Sequence, residues 1–464
     1  MSAVSRFARR LEESQIPTVG SSGINVVKFK DYDLLYSNGM PIRYVAFPFP
    51  VAGQPKSVHK AYVEGKDLLS GKPMMQAIID ALTKPLTAEE KRSGLPPGAT
   101  AEPRLLKPDT EANLQRLFKE KEWTDFYPIV LPTEERVAAM LKATSHKPDE
   151  ALSRFGARQL SVEKAAIFAV MAGAKPEYFP TILAIASKGL TSMFSSTSSF
   201  ARMVVVNGPV VKEIGMNTGI GALGPNNRAN SSIGRCWTLI SKNLGGSGKP
   251  GETYLGSQGN NLNYNNLCMP ETEDGLPPGW KPLHVQKGFK ASDSVVNLFS
   301  GWSFSDIAWY SPLPQHEVIR GWLEHFFSFG TTQATLVLDP IVAADVANVG
   351  GFSTKEAFAK WLADNTGTPG WLYWSQNANA LKQAKEGVEP YASWYKQGQG
   401  AVVPSSRYKR DGGGVARNTA FMASKDSGEP TNSLNIVVTG GGTNTFWSGG
   451  DFGYAGSASV DQWR

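Results

Sequence analysis

The residues of this chain best suited to chemistry lie between Asn207 and Gly259, a stretch dense in Gly, Asn, Arg and Ser. Such residues suit tight backbone and polar contact better than core filling, and glycine loses the most backbone freedom on folding. A chain that orders so much of it in a loop is expected to surround a ligand. Within the stretch, Gly219-Ile220-Gly221-Ala222-Leu223-Gly224 matches G-x-G-x-x-G, the dinucleotide fingerprint. That fingerprint needs a strand running straight into the glycines and an acidic residue ending a second strand about 20 residues on. Here Pro209 and the polar segment Lys212 to Thr218 intervene, and no such acidic residue follows. With 47 glycines in the chain a chance match is easy, so Gly219 and Gly221 are expected to line a substrate pocket rather than a nucleotide site.

A helix follows the loop. Pro225 and Asn226 offer its start, Gly245-Gly246 its stop, and Ala229, Ile233, Trp237, Ile240 and Leu244 recur at helical spacing as a buried stripe. Asn226, Asn227 and Arg228, with Asn230 close behind, sit where helix N–H groups and the dipole attract anions. Arg235 adds a fork suited to a carboxylate or phosphate. A small anionic substrate is therefore expected at this end. Cys236 lies beside the apolar stripe and reads first as a packed thiol, second as a nucleophile.

Three further groups are candidates. His284 follows the proline-rich segment Pro277 to Pro282, and a neutral imidazole suits proton transfer near pH 7. Glu163 lies in Ser161-Val162-Glu163-Lys164, an S-x-x-K match for which helix capping by Ser161 is the stronger reading; Glu163 is either a surface partner or a cleft base. The turn Thr439-Gly440-Gly441-Gly442-Thr443-Asn444 lacks the lysine of a P-loop, but Gly441 and Asn444 are expected in an anion-binding nest. Phe446 to Asp451 reads as a lid or interface loop. No H-E-x-x-H helix occurs among the five histidines, so no metal is expected, and no cofactor is indicated.

The elements needed to position these residues follow an α/β order. The fold class expected is two-lobed: a Rossmann-like N-terminal lobe over 1–85, a linker or excursion over 86–125, and a larger α/β lobe over 126–464. Strands are expected at Ile24 to Phe29, Tyr44 to Phe49, Met203 to Val206, Val295 to Phe299, Ala334 to Leu338 and Leu434 to Val438. Helices are expected from Val4 to Gln15, Pro73 to Leu82, Glu134 to Ala143 and Val162 to Ala172. Another runs to Leu362 from a capping box of Ser353 and Glu356. Residues 365–432 show no strong periodicity. The formal charge of +6 is dispersed, which argues against nucleic acid. The first residues lack a secretory apolar core, the longest apolar run is too short for a membrane span, and two cysteines suit a reducing cytoplasm.

Several segments together resemble the UGSC family, named for a Sec/Cys-Gly-Ser-Cys motif near the start of its members. They are LEESQIPTV (Leu11 to Val19), MPIRYVAFPFPVAGQP (Met40 to Pro55), AYVEGKD (Ala61 to Asp67), SVEKAAIFAVMAGAKPEYFP (Ser161 to Pro180), the glycine-rich block and LNIVVTGGGTN. The resemblance implies thiol- or selenol-linked redox chemistry, or cleavage of a carbon–heteroatom bond. This chain begins at the helix that follows the motif in the family, and it has Ala174 where relatives carry a cysteine. The resemblance therefore implies a smaller partner chain supplying the missing motif. The residues alone leave open a lyase or hydratase using His284 or Glu163 as base, and a non-catalytic scaffold subunit.

Overall fold

The computed structural model describes residues 8, 11–24, 43–49, 53–88, 104–155, 158–193, 199–251, 253–263, 267–308, 312–326, 333–404, 434–443 and 446–464. These form mixed α/β structure. The chain divides into two compact units, residues 1–200 with 235–264 and residues 201–234 with 265–464. This division departs from boundaries at 85 and 125, because the sheets that organise the second unit begin only at residue 201.

In the first unit β1 (Val19–Gly23) pairs in parallel with β2 (Arg43–Phe47). Of the strand expected from Ile24 to Phe29 only Ile24 is described, residues 25–29 lying outside the described ones, and the β1 pairing ends at Gly23. Helix α1 (Lys56–Glu64) precedes α2 (Met74–Thr83), which buries Met74 and Ala77 against Val45. The Arg43 guanidinium closes the end of α2, donating to the carbonyls of Ala81 at 3.1 Å and Lys84 at 2.6 Å, where the helix dipole favours a cation. Helices α3 (Glu111–Glu120) and α4 (Glu134–Leu141) start behind Thr110 and Thr133, whose hydroxyls accept from the third residue on. A hairpin, β3 (Ala151–Phe155) with β4 (Arg158–Ser161), leads into α5 (Val162–Met171) and α6 (Phe179–Ser187), both almost wholly buried.

The second unit holds two four-stranded sheets. One has the order β14 (Gly453–Ser459), β7 (Val295–Gly301), β5 (Ala201–Asn207), β6 (Cys268–Pro270); the other has β12 (Leu434–Val438), β9 (Ala334–Leu338), β13 (Phe446–Gly450), β8 (Phe304–Ala308). Strands β5 and β6 run parallel, as do β9 and β12, and the remaining pairs are antiparallel. The chain crosses between sheets twice, from β7 to β8 and from β13 to β14. Buried Asp451 staples both crossings by accepting from the backbone N–H of Trp302 at 2.7 Å and Ser303 at 2.9 Å. Phe446 to Gly450, expected as a lid or interface loop, is therefore the central strand β13. Its glycines hid it: a Cβ on Gly449 would lie 2.5 Å from the Trp322 ring, so only glycine admits that packing.

Helices then cover the second sheet. Asp339 accepts from Val342 N at 2.7 Å and opens α11 (Pro340–Asn348), numbered after α7 (Val210–Glu213), α8 (Arg228–Gly245), α9 (Leu283–Gln286) and α10 (Gln315–His325). Helix α12 (Lys355–Asn365) is capped by Thr354, whose hydroxyl accepts from Ala357 N at 3.0 Å, one residue later than the Ser353–Glu356 box expected. The described part of 365–432 is not featureless either: the short strands β10 (Thr368–Pro369) and β11 (Val402–Val403) pair antiparallel. Helices α13 (Gly370–Gln376), α14 (Ala378–Lys385) and α15 (Tyr391–Lys396) pack aromatic side chains around Trp374, Ala384 and Val403. Among the described residues no helix is long and apolar enough to cross a membrane.

Candidate active site

The carboxyl ends of the parallel strands in the two sheets of the second unit meet at one residue, Glu271, which follows β6. Its buried carboxylate accepts from Asn207 Nδ2 at the end of β5 (2.8 Å), Leu283 N at the start of α9 (2.6 Å) and Val438 N at the end of β12 (3.3 Å). Lys355 Nζ, at the first turn of α12, lies 2.5 Å away and is equally buried. A cation at a helix start is opposed by the helix dipole, so the Glu271 carboxylate is what holds the ammonium there. In open α/β sheets ligands bind beyond the carboxyl ends of strands.

Two features surround this hub. On one side Glu273 Oε1 accepts from Asn207 Nδ2 at 2.9 Å and Gly208 N at 2.8 Å, and lies 3.6 Å from His284 Nδ1. The His284 side chain is fully buried and both ring nitrogens lack a hydrogen-bond partner, whereas the Glu273 side chain is 28% exposed. The carboxylate thus lies between solvent and an unpaired imidazole. On the other side a polar chain crosses three strands: Tyr454 Oη to Ser457 Oγ (2.6 Å), Ser457 Oγ to Asn297 Oδ1 (2.6 Å), Asn297 Nδ2 to Asn207 Oδ1 (2.9 Å). Lys287 Nζ sits 4.3 Å from the Tyr454 ring centre and donates to Asn435 Oδ1 at 3.1 Å. Burial, with the nearby Lys355 charge assisting and Glu356 opposing, lowers Lys287 to about 8.

The glycine-rich loop reaches this region through its backbone. The Thr218 carbonyl accepts from Thr272 Oγ1 at 2.5 Å and Gly440 N at 3.1 Å, joining the loop to the turn after β12. A Cβ on Gly441 would come within 2.6 Å of Ile220 N, so glycine is required there. Asn444 lies outside the described residues. Gly219 N donates to Asn217 Oδ1 at 2.8 Å, and the Gly221 carbonyl accepts from Asn227 Nδ2 at 2.6 Å.

The asparagines expected to bind substrate hold the loop itself. Asn227 Nδ2 also reaches Gly224 O at 3.0 Å, and Asn230 Nδ2 donates to Asn217 O and Ala222 O. Asn226 is exposed with φ 69°, and Arg228, also exposed, opens α8 three residues later than Pro225 would have set it. The anticipated stripe of α8 is buried as read, from Ala229 to Leu244. In the first unit, Arg235 makes a bidentate pair with Asp125, both contacts 2.8 Å, and also donates to Pro128 O. Its fork is thereby filled by the protein's own carboxylate. Glu163 is bound to Arg104 at 2.6 Å on the surface, while the Ser161 hydroxyl caps α5. Cys236 is fully buried and burial pushes its thiol far above the ordinary range; Cys268 is likewise pushed up to about 12. Thiolates are the reactive form, so neither environment suits a nucleophile.

Of the sequence candidates among the described residues, His284 lies beside the hub, and Gly441 lies on the adjoining turn against Ile220, which Gly219 and Gly221 flank. Glu271, Glu273, Lys355, Asn207, Asn297 and Lys287 carried no readable signal, since β6 is a three-residue strand and Lys355 hides in a helix start. Among the described residues no group of three or more His, Cys, Asp or Glu is arranged to hold a metal ion. Comparison of the chain with family models, curated proteins and solved structures finds no match.

Proposed function

We propose that this chain is an enzyme that moves a proton on a small molecule, of the lyase or hydratase kind, with His284 as base and Glu273 as its link to solvent. The observation that supports this reading most directly is the unpaired, fully buried imidazole 3.6 Å from a carboxylate that itself reaches solvent. Buried polar groups are normally paired, and an unpaired one at the carboxyl ends of strands asks for an occupant. Glu273 is oriented by Asn207 Nδ2 and Gly208 N, which is the arrangement of a base held by a third group. The burial of both thiols favours acid/base over thiol chemistry within this chain. The redox chemistry implied by the UGSC resemblance would then come from a smaller partner chain. Met75, Ile79 and Leu82, exposed along α2, offer such a partner an apolar face.

The test is proton exchange. A panel of small hydroxy, oxo and unsaturated carboxylic acids is incubated with the protein in D2O, and deuterium incorporation is followed by NMR. Wild type is expected to exchange at least one member, and His284→Gln to slow it by at least about 100-fold, the usual contribution of a general base. Equal rates in a folded His284→Gln protein sink the assignment.

A further inference from the structure

We propose that Lys287 is a covalent carbonyl-binding site, its amine forming an imine with a small aldehyde or 2-oxo acid held between Tyr454 and Asn435. The inference stands apart from the acid/base role of His284. Lys287 Nζ lies over the Tyr454 ring at 4.3 Å and 3.1 Å from Asn435 Oδ1, and neither partner is charged. Asn435 is 5% exposed and its Nδ2 has no hydrogen-bond partner. A buried donor beside the amine therefore lacks an acceptor, and a substrate carbonyl or carboxylate oxygen would supply one. Tyr454 Oη is engaged with Ser457, which fixes the ring as a wall for the ligand.

The step balances without a co-reactant. Neutral Lys287 Nζ attacks the carbonyl carbon, forming the C–N bond and a carbinolamine while the amine proton passes to the oxygen. The carbinolamine hydroxyl then takes one proton from solvent water, the C–O bond breaks with release of water, and the nitrogen lone pair forms the C=N bond of the protonated imine. Attack needs the unprotonated amine, and the surroundings favour it. Burial and the Lys355 ammonium lower Lys287 to about 8; Glu356 opposes them, and Tyr454 is itself raised by burial and so stays neutral. At pH 7.5 such an amine is neutral about 200-fold more often than an ordinary lysine near 10.4, partly offset by its lower intrinsic nucleophilicity.

The experiment is reductive trapping. Full-length protein is treated with pyruvate, and separately with propionaldehyde, in the presence of cyanoborohydride at pH 7.5, and adducts are mapped by peptide mass spectrometry. Lys287 is expected to be labelled at least tenfold faster than exposed Lys60, with a pH profile rising near 8. Labelling by pyruvate alone assigns a 2-oxo acid, and by both a general carbonyl. Asn435→Leu is expected to slow labelling at Lys287 but not at Lys60. Deuterium exchange is scored separately on the same protein, so that failure of labelling here is distinct from failure of the proton-transfer reading. Labelling of Lys287 no faster than Lys60 overturns the proposal.

Discussion

Separating Glu271 from Lys355 is the sharpest perturbation the second unit allows. Both side chains are at most 1% exposed, and the ammonium lies 2.5 Å from the carboxylate. Lys355→Met keeps the alkyl stem but removes the counter-ion, leaving the carboxylate with Asn207, Leu283 N and Val438 N. Removing one partner of a buried pair costs about 3–5 kcal/mol, because the other charge stays buried without compensation. Relief of the unfavourable dipole at the start of α12 returns about 0.3–1 kcal/mol, so a net loss of roughly 2–5 kcal/mol is expected. Glu271→Gln keeps the shape and most acceptor geometry yet leaves the ammonium unpaired, a loss of about 3 kcal/mol or more. In the double variant neither charge remains, and the loss should fall short of the sum by about 2–4 kcal/mol. Urea unfolding followed by tryptophan fluorescence measures it, since Trp280 and Trp447 sit in the core of this unit. Losses that add to within about 0.5 kcal/mol would show the two groups to be energetically independent, and the hub described above would be refuted.

Three other outcomes are expected. Lys287 is lowered to about 8 in the folded chain, so between that value and about 10.4 the unfolded state binds more protons and stability rises with pH. Wild type should therefore gain on the order of 1–3 kcal/mol relative to Lys287→Met between pH 7.5 and pH 10.5, and a pH-independent difference in urea unfolding contradicts this. Both thiols should resist iodoacetamide in the native protein and react once urea unfolds it, as read by mass spectrometry; rapid native labelling of Cys236 would revive the nucleophile. Gly441→Ala must push Ile220 aside and should destabilise by about 1–3 kcal/mol with faster proteolysis in 217–224, whereas a neutral effect would mean that the loop does not rest on that turn.

What the sequence disclosed and what it hid differ for physical reasons. Strands Ala334 to Leu338 and Leu434 to Val438 are apolar runs interrupted only by Thr335 and Asn435, buried on both faces, and they stand where expected. The stripe from Ala229 to Leu244 and the Ser161 cap were equally legible, because helical period and capping are local. Strand β13 was not, since Gly449 and Gly450 are set by Trp322 and Ser303, which lie far away in sequence. The loop asparagines misled for a related reason. Asn is a good ligand and an equally good loop brace, and only Asn217 and Asn230 facing each other decide between the two. Arg235 reads as an anion fork until Asp125, distant in sequence, fills it.

The distribution of unpaired polar atoms carries the argument for a site one step further. A sheet core that buries Asn207 and Asn297 would be destabilised unless every amide were paired, and the chain from Tyr454 to Glu271 pairs them. Yet the His284 ring nitrogens, Thr439 Oγ1 and Asn435 Nδ2 make no hydrogen bond, as is also true of Ser300 Oγ and Trp447 Nε1 elsewhere in the unit. Of the first three, two follow directly in the chain on the residues whose backbone N–H groups bind Glu271, Leu283 and Val438, and the third holds Lys287. On the proposed reading, the atoms of this kind that adjoin the hub are the ones a ligand would engage. Filling those positions with apolar groups therefore makes a test of the whole reading. His284→Leu and Asn435→Leu remove groups without a hydrogen bond at the cost of the His284–Glu273 contact at 3.6 Å and the hydrogen bond from Lys287. Each should raise stability or leave it within about 1 kcal/mol while slowing exchange or labelling, and a large loss of stability with function retained would assign both residues to the fold instead.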